Sequence, residues 1–393
     1  MNRRRFVVVV VDSAGCGAMP DAGSYGDEGS DTLGNTSRAV GGLRLPNLGR
    51  LGLGHLTAIQ GVPPDPAPAG FFGRMAERSH GKDTTTGHWE MMGMVLEEGF
   101  RLFPGGFPPE ILEPWLAEIG LPGVLGNKTA SGTAIIEELG AEHQRTGRPI
   151  VYTSADSVFQ VACHEQTVPL PRLYEWCQAA RRLLDPWRVA RVIARPFVGT
   201  PGGYTRTYNR RDLSIAPPAR SVLERLAEAG VKVVGVGKIG DIFDRRGLAE
   251  DLHTHGNADG LRQTERQLEA FDHGFLFVNL VDFDALYGHR NDPVGYARAL
   301  EELDRGLPRL VERLRPGDVL ALTADHGCDP TTPSTDHSRE YVPLLVCGPG
   351  LAGGPLGVRE SFADLGATVA EFFGISAPPV GRSFLAELAA GPA

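Results

Sequence analysis

Several things are scarce in this chain, and each scarcity removes a class of function. Its five cysteines (Cys16, Cys163, Cys177, Cys328 and Cys347) are odd in number, scattered and without a CxxC pair. That excludes a disulfide framework or a cysteine-built zinc site and fits reduced thiols in the cytoplasm. No stretch approaches the roughly 20 apolar residues of a membrane span. The opening MNRRRFVVVVV imitates a signal peptide, but its apolar run ends at Asp12, short of the usual h-region of about 7–15 residues. A soluble, cytoplasmic protein without a membrane partner is expected. Positive charge is lacking as well: the net charge of −9 argues against a nucleic-acid partner. There is no internal repeat or low-complexity tract, and no sign of an obligate protein partner.

What is present is ordinary globular material, 41% hydrophobic and 22% charged over 393 residues. That length favours two domains. Strand patterns (Phe6–Val11, Ile150–Thr153, Val189–Ala194, Val231–Val236, Phe275–Val281, Val319–Thr323, Leu344–Cys347) alternate with helical ones. The helical patterns are Thr133–Gln144, Leu170–Leu184, Ala219–Glu228, Ala258–Ala270, Pro293–Leu314 and Glu360–Phe373. Alternation of this kind is the mark of an α/β layered fold. The Pro/Gly-rich segments Phe103–Pro109 and Thr200–Pro218 read as boundaries. A discontinuous core, residues 1–100 and 217–393, with a smaller α/β domain inserted over 101–216, is therefore expected.

The chemistry concentrates where apolar runs end. Phe6–Val11 runs into Asp12; Phe275–Val281 into Asp282, Asp284 and His289; Val319–Thr323 into Asp325 and His326, with Asp336 and His337 soon after. Short β-branched runs read as buried strands of a mainly parallel sheet. Ligands bind such sheets outside the carboxyl ends of the strands. Carboxylates crowded at one edge would repel one another without a cation. Carboxylates mixed with imidazoles suit a divalent metal, manganese or zinc above calcium. Cys328 stands beside Asp325 and His326, but oxygen and nitrogen donors already abound there.

Any one Asp-His strand end alone is more often a helix N-cap with a solvated histidine. Their combination points to a two-metal site, a known solution for phosphoryl transfer. GKDTTTGHWEMMG (Gly81–Gly93) offers a nucleophile, since a threonine hydroxyl can be activated by metal coordination. A plain turn cluster is the alternative reading. Residue types alone do not choose among Thr84, Thr85 and Thr86.

Taken together, DSAGCG, GKDTTTGHWE, VDFDALYGH, TADHG and TDHSREYVPLL resemble the alkaline phosphatase superfamily, and within it the prokaryotic phosphopentomutase family. SGTAIIEELG, VYTSADSVFQ, ARPFVG and TRTYNR carry the resemblance through the middle of the chain. It implies an alkaline-phosphatase-like core with an inserted cap that closes over the site and excludes water. It implies two Mn2+ per chain, one held by Asp12, Asp325 and His326, the other by Asp284, His289 and His337. Thr84 would be the phosphorylated residue bridging them, and Asp282 and Asp336 would orient ligand imidazoles or backbone. The implied reaction interconverts α-D-ribose 1-phosphate and D-ribose 5-phosphate, and the 2-deoxyribose pair, through a 1,5-bisphosphate. Glucose 1,6-bisphosphate or ribose 1,5-bisphosphate would be the activator. No ligand position departs from the family pattern, and at the position of Cys328 other small or polar residues occur in relatives.

A mutase must also hold the non-reacting phosphate. Ala194–Asp212 carries Arg195, Arg206, Arg210 and Arg211 among glycines and threonines, and the resemblance singles out Arg195 and Arg210. Ser154 and Asp156 are candidates for sugar hydroxyls, and Lys238 for a phosphate-facing cation. GVGKIG (Gly235–Gly240) formally matches GxGxxG, but DIFDRRG is no apolar helix opening. His253 and His255 read as solvated, and Trp89, Trp176 and Trp187 as packing residues. A phosphatase of the same superfamily, a serine-dependent phosphoglycerate mutase and a silent metal-binding scaffold are the competing readings.

Overall fold

Five consecutive valines leave no polar face, so the first strand has to be buried on both sides. In the computed structural model Arg5–Val11 is a strand with every residue buried. The structure describes residues 3–154 and 157–390. The chain divides into two compact units, Met1–Gly99 with Pro217–Ala393, and Phe100–Ala216.

The larger unit is built on an eight-stranded sheet. Its order is Glu250–Leu252, Val233–Val236, Gly274–Leu280, Arg5–Val11, Val319–Thr323, Val342–Cys347, Phe71–Met75, Gly354–Arg359. All strands run the same way except Val342–Cys347, which is antiparallel to both neighbours. Register places Val8 between Phe277 and Ala321. Successive side chains point to opposite faces. The face bearing Phe277 meets His88 of the helix Thr84–Met91, with rings 5.6 Å apart. The face bearing Leu280 is closely approached by Gly260 of the helix Asn257–Ala270. The sheet is thus covered on both faces, as a parallel sheet must be. At its amino edge Arg5, fully buried, donates through Nε to Asp318 Oδ2 at 2.9 Å and through its backbone to Oδ1 at 2.8 Å.

The inserted unit has its own six-stranded mixed sheet, ordered Leu125–Thr129, Ile150–Thr153, Val158–His164, Arg191–Val198, Thr205–Arg206, with Arg211–Ser214 also paired to Arg191–Val198. Trp115, Phe159, Trp176 and Leu173 fill one core cluster against it, and Ile135, Tyr152 and Phe197 another.

The structure adds elements that the patterns did not announce. Val158–His164 is wholly buried although it contains Gln160 and His164, whose polar groups find partners within the unit. Phe71–Met75 alternates buried and half-buried around Gly73 and is too short for a periodicity signal. Pro109–Ile119 starts a helix where the sequence suggests a linker, because proline at the first position costs no hydrogen bond. The expected Ala219–Glu228 helix starts at Val222, where Ser221 and Glu224 form a reciprocal capping box. No helix of the described residues is long and apolar enough to cross a membrane.

Candidate metal centre and nucleophile

The strands Arg5–Val11, Gly274–Leu280 and Val319–Thr323 are parallel neighbours, so the residues after them emerge at one edge. Asp12, Asp284, Asp325 and His326 arrive there by that route. His337 arrives by another: it precedes the antiparallel strand Val342–Cys347, which enters the sheet from the same edge. One reversed strand therefore completes the donor set.

Three overlapping groups of donors result: Asp12, Asp325 and His326; Asp284, His326 and His337; and Asp284, His289 and Cys328. In the first, Asp12, Asp325 and His326 present donor atoms all within 4.8 Å of one another. His326 Nε2 lies 3.5 Å from Asp12 Oδ1 and 3.4 Å from Asp325 Oδ2. Asp284 links the other two: His289 Nε2 is 3.3 Å from its Oδ2, and His337 Nε2 is 3.5 Å from its Oδ1. The groups adjoin, since the His326 and His337 rings are 4.0 Å apart.

The imidazoles are oriented by their other nitrogens. His289 Nδ1 lies 2.6 Å from the Thr335 carbonyl and His326 Nδ1 lies 3.0 Å from that of Gly327. A carbonyl can only accept, so each Nδ1 carries a proton and each Nε2 faces the cluster. The carboxylates are positioned similarly. Asn279 Nδ2 donates to Asp12 Oδ2 at 2.9 Å, and the Ser13 amide donates to Asp325 Oδ1 at 3.0 Å. Asp12 Oδ1, Asp325 Oδ2 and Asp284 Oδ1 remain buried with no hydrogen-bond partner among the described residues.

Electrostatics show what is missing. Burial, with Asp325 and Asp284 nearby, pushes the Asp12 carboxyl well above the usual range. Burial lowers the basicity of His326 and keeps it a neutral donor. Burial also opposes protonation of His289, yet Asp284 and Cys328 beside it push its pKa up to about 12. A cluster that lifts one carboxyl and protonates one imidazole is short of positive charge. Oriented Nε2 atoms and orphaned carboxylate oxygens are what a divalent cation takes, so the residues present fit a metal.

The threonines lie on the first turn of the helix Thr84–Met91. Asp83 caps it by accepting from the amides of Thr85 and Thr86 at 3.0 and 3.1 Å, and from Thr86 Oγ1 at 2.6 Å. Thr86 is thereby engaged, and Thr85 is buried. Thr84 Oγ1 instead lies 3.1 Å from His326 Nε2. The helix comes so close to the TADHG loop that a Cβ on Gly87 would stand 2.1 Å from the Asp325 carbonyl oxygen.

With this geometry in view, the chain compares closely with known proteins. The family model described as the metalloenzyme superfamily matches residues 4–377. A phosphopentomutase of Anaeromyxobacter dehalogenans (strain 2CP-C) is 75% identical over 98% of this chain and 99% of its own. One from Anaeromyxobacter sp. (strain K) is 74% identical over 99% of this chain and 100% of its own. One from Kosmotoga olearia is 57% identical over 98% of this chain and 99% of its own. The chain belongs to the phosphopentomutase family.

The other residues singled out by sequence fall in several places in this family member. Lys238 caps the short helix Ile239–Ile242 after the Val233–Val236 strand and, through its charge, favours ionisation of Asp12. Asp336 accepts the His337 amide at 2.9 Å and pairs with Lys82 at 3.4 Å, so it orients backbone. Asp282 accepts the Asn257 amide at 2.7 Å at the start of a helix, so it too orients backbone. In the inserted unit Arg195 donates from Nε to Gln160 at 3.0 Å, and burial with Arg210 nearby lowers its pKa to about 10. Arg210 is exposed and pairs with Asp212. Ser154 follows the Ile150–Thr153 strand; Asp156 lies outside the described residues.

Sequence reasoning missed His88, fully buried, with Nδ1 3.2 Å from Asp325 Oδ2 and 2.8 Å from the Thr84 carbonyl. Its signal was its place four residues after Thr84, on the same helix face. Asn279 was missed too. The signal there was one amide in the otherwise apolar run FLFVNLV.

Proposed function

We propose that this isomerase interconverts α-D-ribose 1-phosphate and D-ribose 5-phosphate, and the corresponding 2-deoxyribose phosphates, by way of a phosphothreonine at Thr84 and a pentose 1,5-bisphosphate. The reading is carried by 75% identity to a phosphopentomutase over 98% of the chain. The Thr84 hydroxyl, 3.1 Å from Nε2 of His326, which two of the donor groups share, supports the choice of residue.

Two Mn2+ ions, one at Asp12, Asp325 and His326 and one at Asp284, His289 and His337, would supply Lewis acidity to the transferring phosphoryl group. The chain's own residues do the rest. Asp83 fixes the turn that presents Thr84. The amino end of the Thr84–Met91 helix favours the phosphoryl dianion by its dipole. Phospho-Thr84 gives its phosphoryl group to the free hydroxyl of the bound pentose phosphate: the bond from phosphorus to Thr84 Oγ1 breaks as the bond to the sugar oxygen forms, and the hydroxyl proton passes to Thr84 Oγ1. The bisphosphate then returns its other phosphoryl group to Thr84, so nothing is lost to water. Lys238, Arg195, Arg210, Ser154 and Asp156 are assigned to the phosphate and hydroxyls that do not react, with arginine's planar fork suited to bidentate phosphate contact. A sugar bisphosphate such as glucose 1,6-bisphosphate or ribose 1,5-bisphosphate primes Thr84. Five free, buried thiols support a cytoplasmic location.

The test is product analysis. Metal-loaded protein is given ribose 5-phosphate and a trace of glucose 1,6-bisphosphate, and sugar phosphates and free phosphate are followed in quenched samples. Ribose 1-phosphate without stoichiometric free phosphate, lost in Thr84→Ala, is the expected outcome. Steady release of inorganic phosphate would make the protein a phosphatase instead.

A further inference from the structure

Tyr152, in the inserted unit, is a buried polar side chain that the reaction as described does not use. It is 1% exposed, and its Oη has no hydrogen-bond partner among the described residues. A buried hydroxyl left without a partner costs free energy, so it calls for something that the group meets when the protein works. Its place says what that is. Tyr152 is paired with Gln160 on the neighbouring strand, and two residues further on Ala162 is paired with Arg195. Residues two apart share a face of a sheet, so Tyr152, Gln160 and Arg195 stand in one row. Gln160 holds Arg195 through Nε at 3.0 Å and so orients the rest of the guanidinium.

The helix Gly132–Thr146 covers this face, and its Ile135 and Ile136 pack with Tyr152. The row meets the amino end of that helix. A Cβ on Gly132, the first helical residue, would stand 2.7 Å from Tyr152 Oη and 3.3 Å from Arg206 Nη1. Glycine therefore keeps a small polar hollow open. The first amides of a helix have no partner within it. Here no side chain caps them, and Ser131 Oγ meets Thr133 Oγ1 instead, at 3.1 Å. Burial raises the pKa of Tyr152 against the pull of Arg195, Arg206 and Arg210, so the hydroxyl keeps its proton and can donate. A hydroxyl, a guanidinium and helix amides are all donors, and they converge at the positive end of a helix dipole. That set fits a phosphate dianion.

We propose that Tyr152 Oη, Arg206 and the amino end of the Gly132–Thr146 helix hold the phosphate of the pentose phosphate that does not react, on the same face as Arg195. The proposal rests on the mutase reading, and the experiment separates the two. Tyr152→Phe removes one oxygen, whereas Gly132→Ala fills the hollow. In each variant the KM for ribose 5-phosphate should rise roughly 10-fold, the loss of one hydrogen bond to a charged group. The kcat should stay within about twofold of wild type, as for a contact made equally before and during the reaction. Calorimetric titration gives a readout that needs no turnover: the Kd for ribose 5-phosphate should rise by the same factor in Tyr152→Phe. Inorganic phosphate, added as a competitor, separates a free anion from the substrate's own phosphate. Weaker inhibition by inorganic phosphate in Tyr152→Phe with a wild-type KM would make this a site for the free anion and overturn the assignment. Unchanged KM and Kd in both variants would overturn it as well, as would a fall in kcat alone. Wild-type protein that binds ribose 5-phosphate through Tyr152 yet releases inorganic phosphate would sink the mutase reading and leave the site standing.

Discussion

The helix that carries Thr84 passes the Asp325 carbonyl at Gly87, and Gly87→Ala tests whether that approach matters. A Cβ there would lie 2.1 Å from the oxygen and 2.8 Å from its carbon. Ordinary carbon contacts begin at about 3.5 Å, so the helix or the loop must move by about 1 Å. Two effects oppose each other. In a helix interior alanine is favoured over glycine by about 1 kcal/mol. Overpacking against a backbone group, which cannot rotate aside, costs about 1–3 kcal/mol. Destabilisation should win by on the order of 1 kcal/mol, a small fall in Tm by scanning calorimetry. The catalytic effect should be much larger. The displaced helix carries Thr84, and the displaced loop carries Asp325 and His326; a 1 Å misplacement can cost about 10²-fold in rate. Turnover of ribose 5-phosphate should fall by about that factor with metal still bound. A Gly87→Ala protein with wild-type kcat, or a raised Tm, would refute this packing argument.

Other perturbations have equally definite outcomes. Replacing Asn279 by Leu removes the donor to Asp12 Oδ2, and metal affinity measured by chelator competition should fall about 10–100-fold; unchanged affinity would mean that Asn279 does not position Asp12. Removing metal with a chelator should abolish turnover and lower Tm. Readdition at about 100 times Kd should restore about 2.7 kcal/mol, and a Tm indifferent to metal would contradict the centre described. Breaking the buried pair at the opposite edge by Asp318→Ala should cost about 3–5 kcal/mol by denaturant unfolding, because Arg5 is left charged without its carboxylate. The kcat of the folded fraction should stay as in wild type. Glu340 carries a pH dependence: burial raises its pKa from 4.5 to about 7. Since the folded value is the higher one, its contribution is full below pH 4.5 and is lost as pH rises through 7. Glu340→Gln should flatten stability over that window, and an unaltered pH profile would exclude the effect.

Much of the centre was legible because its residues announce themselves twice, once by chemistry and once by place. Asp12, Asp325 and His326 are polar residues directly after runs too apolar to be anything but buried strands. A parallel sheet sends such residues to one edge whatever the strand order. His337 was legible only as part of a motif. Its arrival depends on Val342–Cys347 running antiparallel, which no local pattern encodes. Residue types did not choose among Thr84, Thr85 and Thr86; the resemblance named Thr84, and the helix phase with the Asp83 cap leaves its hydroxyl 3.1 Å from His326 Nε2. Asp282 holds the backbone at a helix start, one of the two roles the resemblance left open, and residue type alone does not separate them. Val158–His164 was hidden because its polar residues find partners only in three dimensions. His88 and Asn279 escaped notice for a related reason: each acts through another residue, and nothing in the linear sequence records that.

The most direct test of the mechanism is to find the phosphoryl group itself. Protein incubated with glucose 1,6-bisphosphate, acid-quenched, digested and mapped by tandem mass spectrometry should carry a single phosphate on Thr84, and none in Thr84→Ala. Phosphate on Thr85 or Thr86, or no covalent phosphate in protein that turns over ribose 5-phosphate, would contradict the assignment.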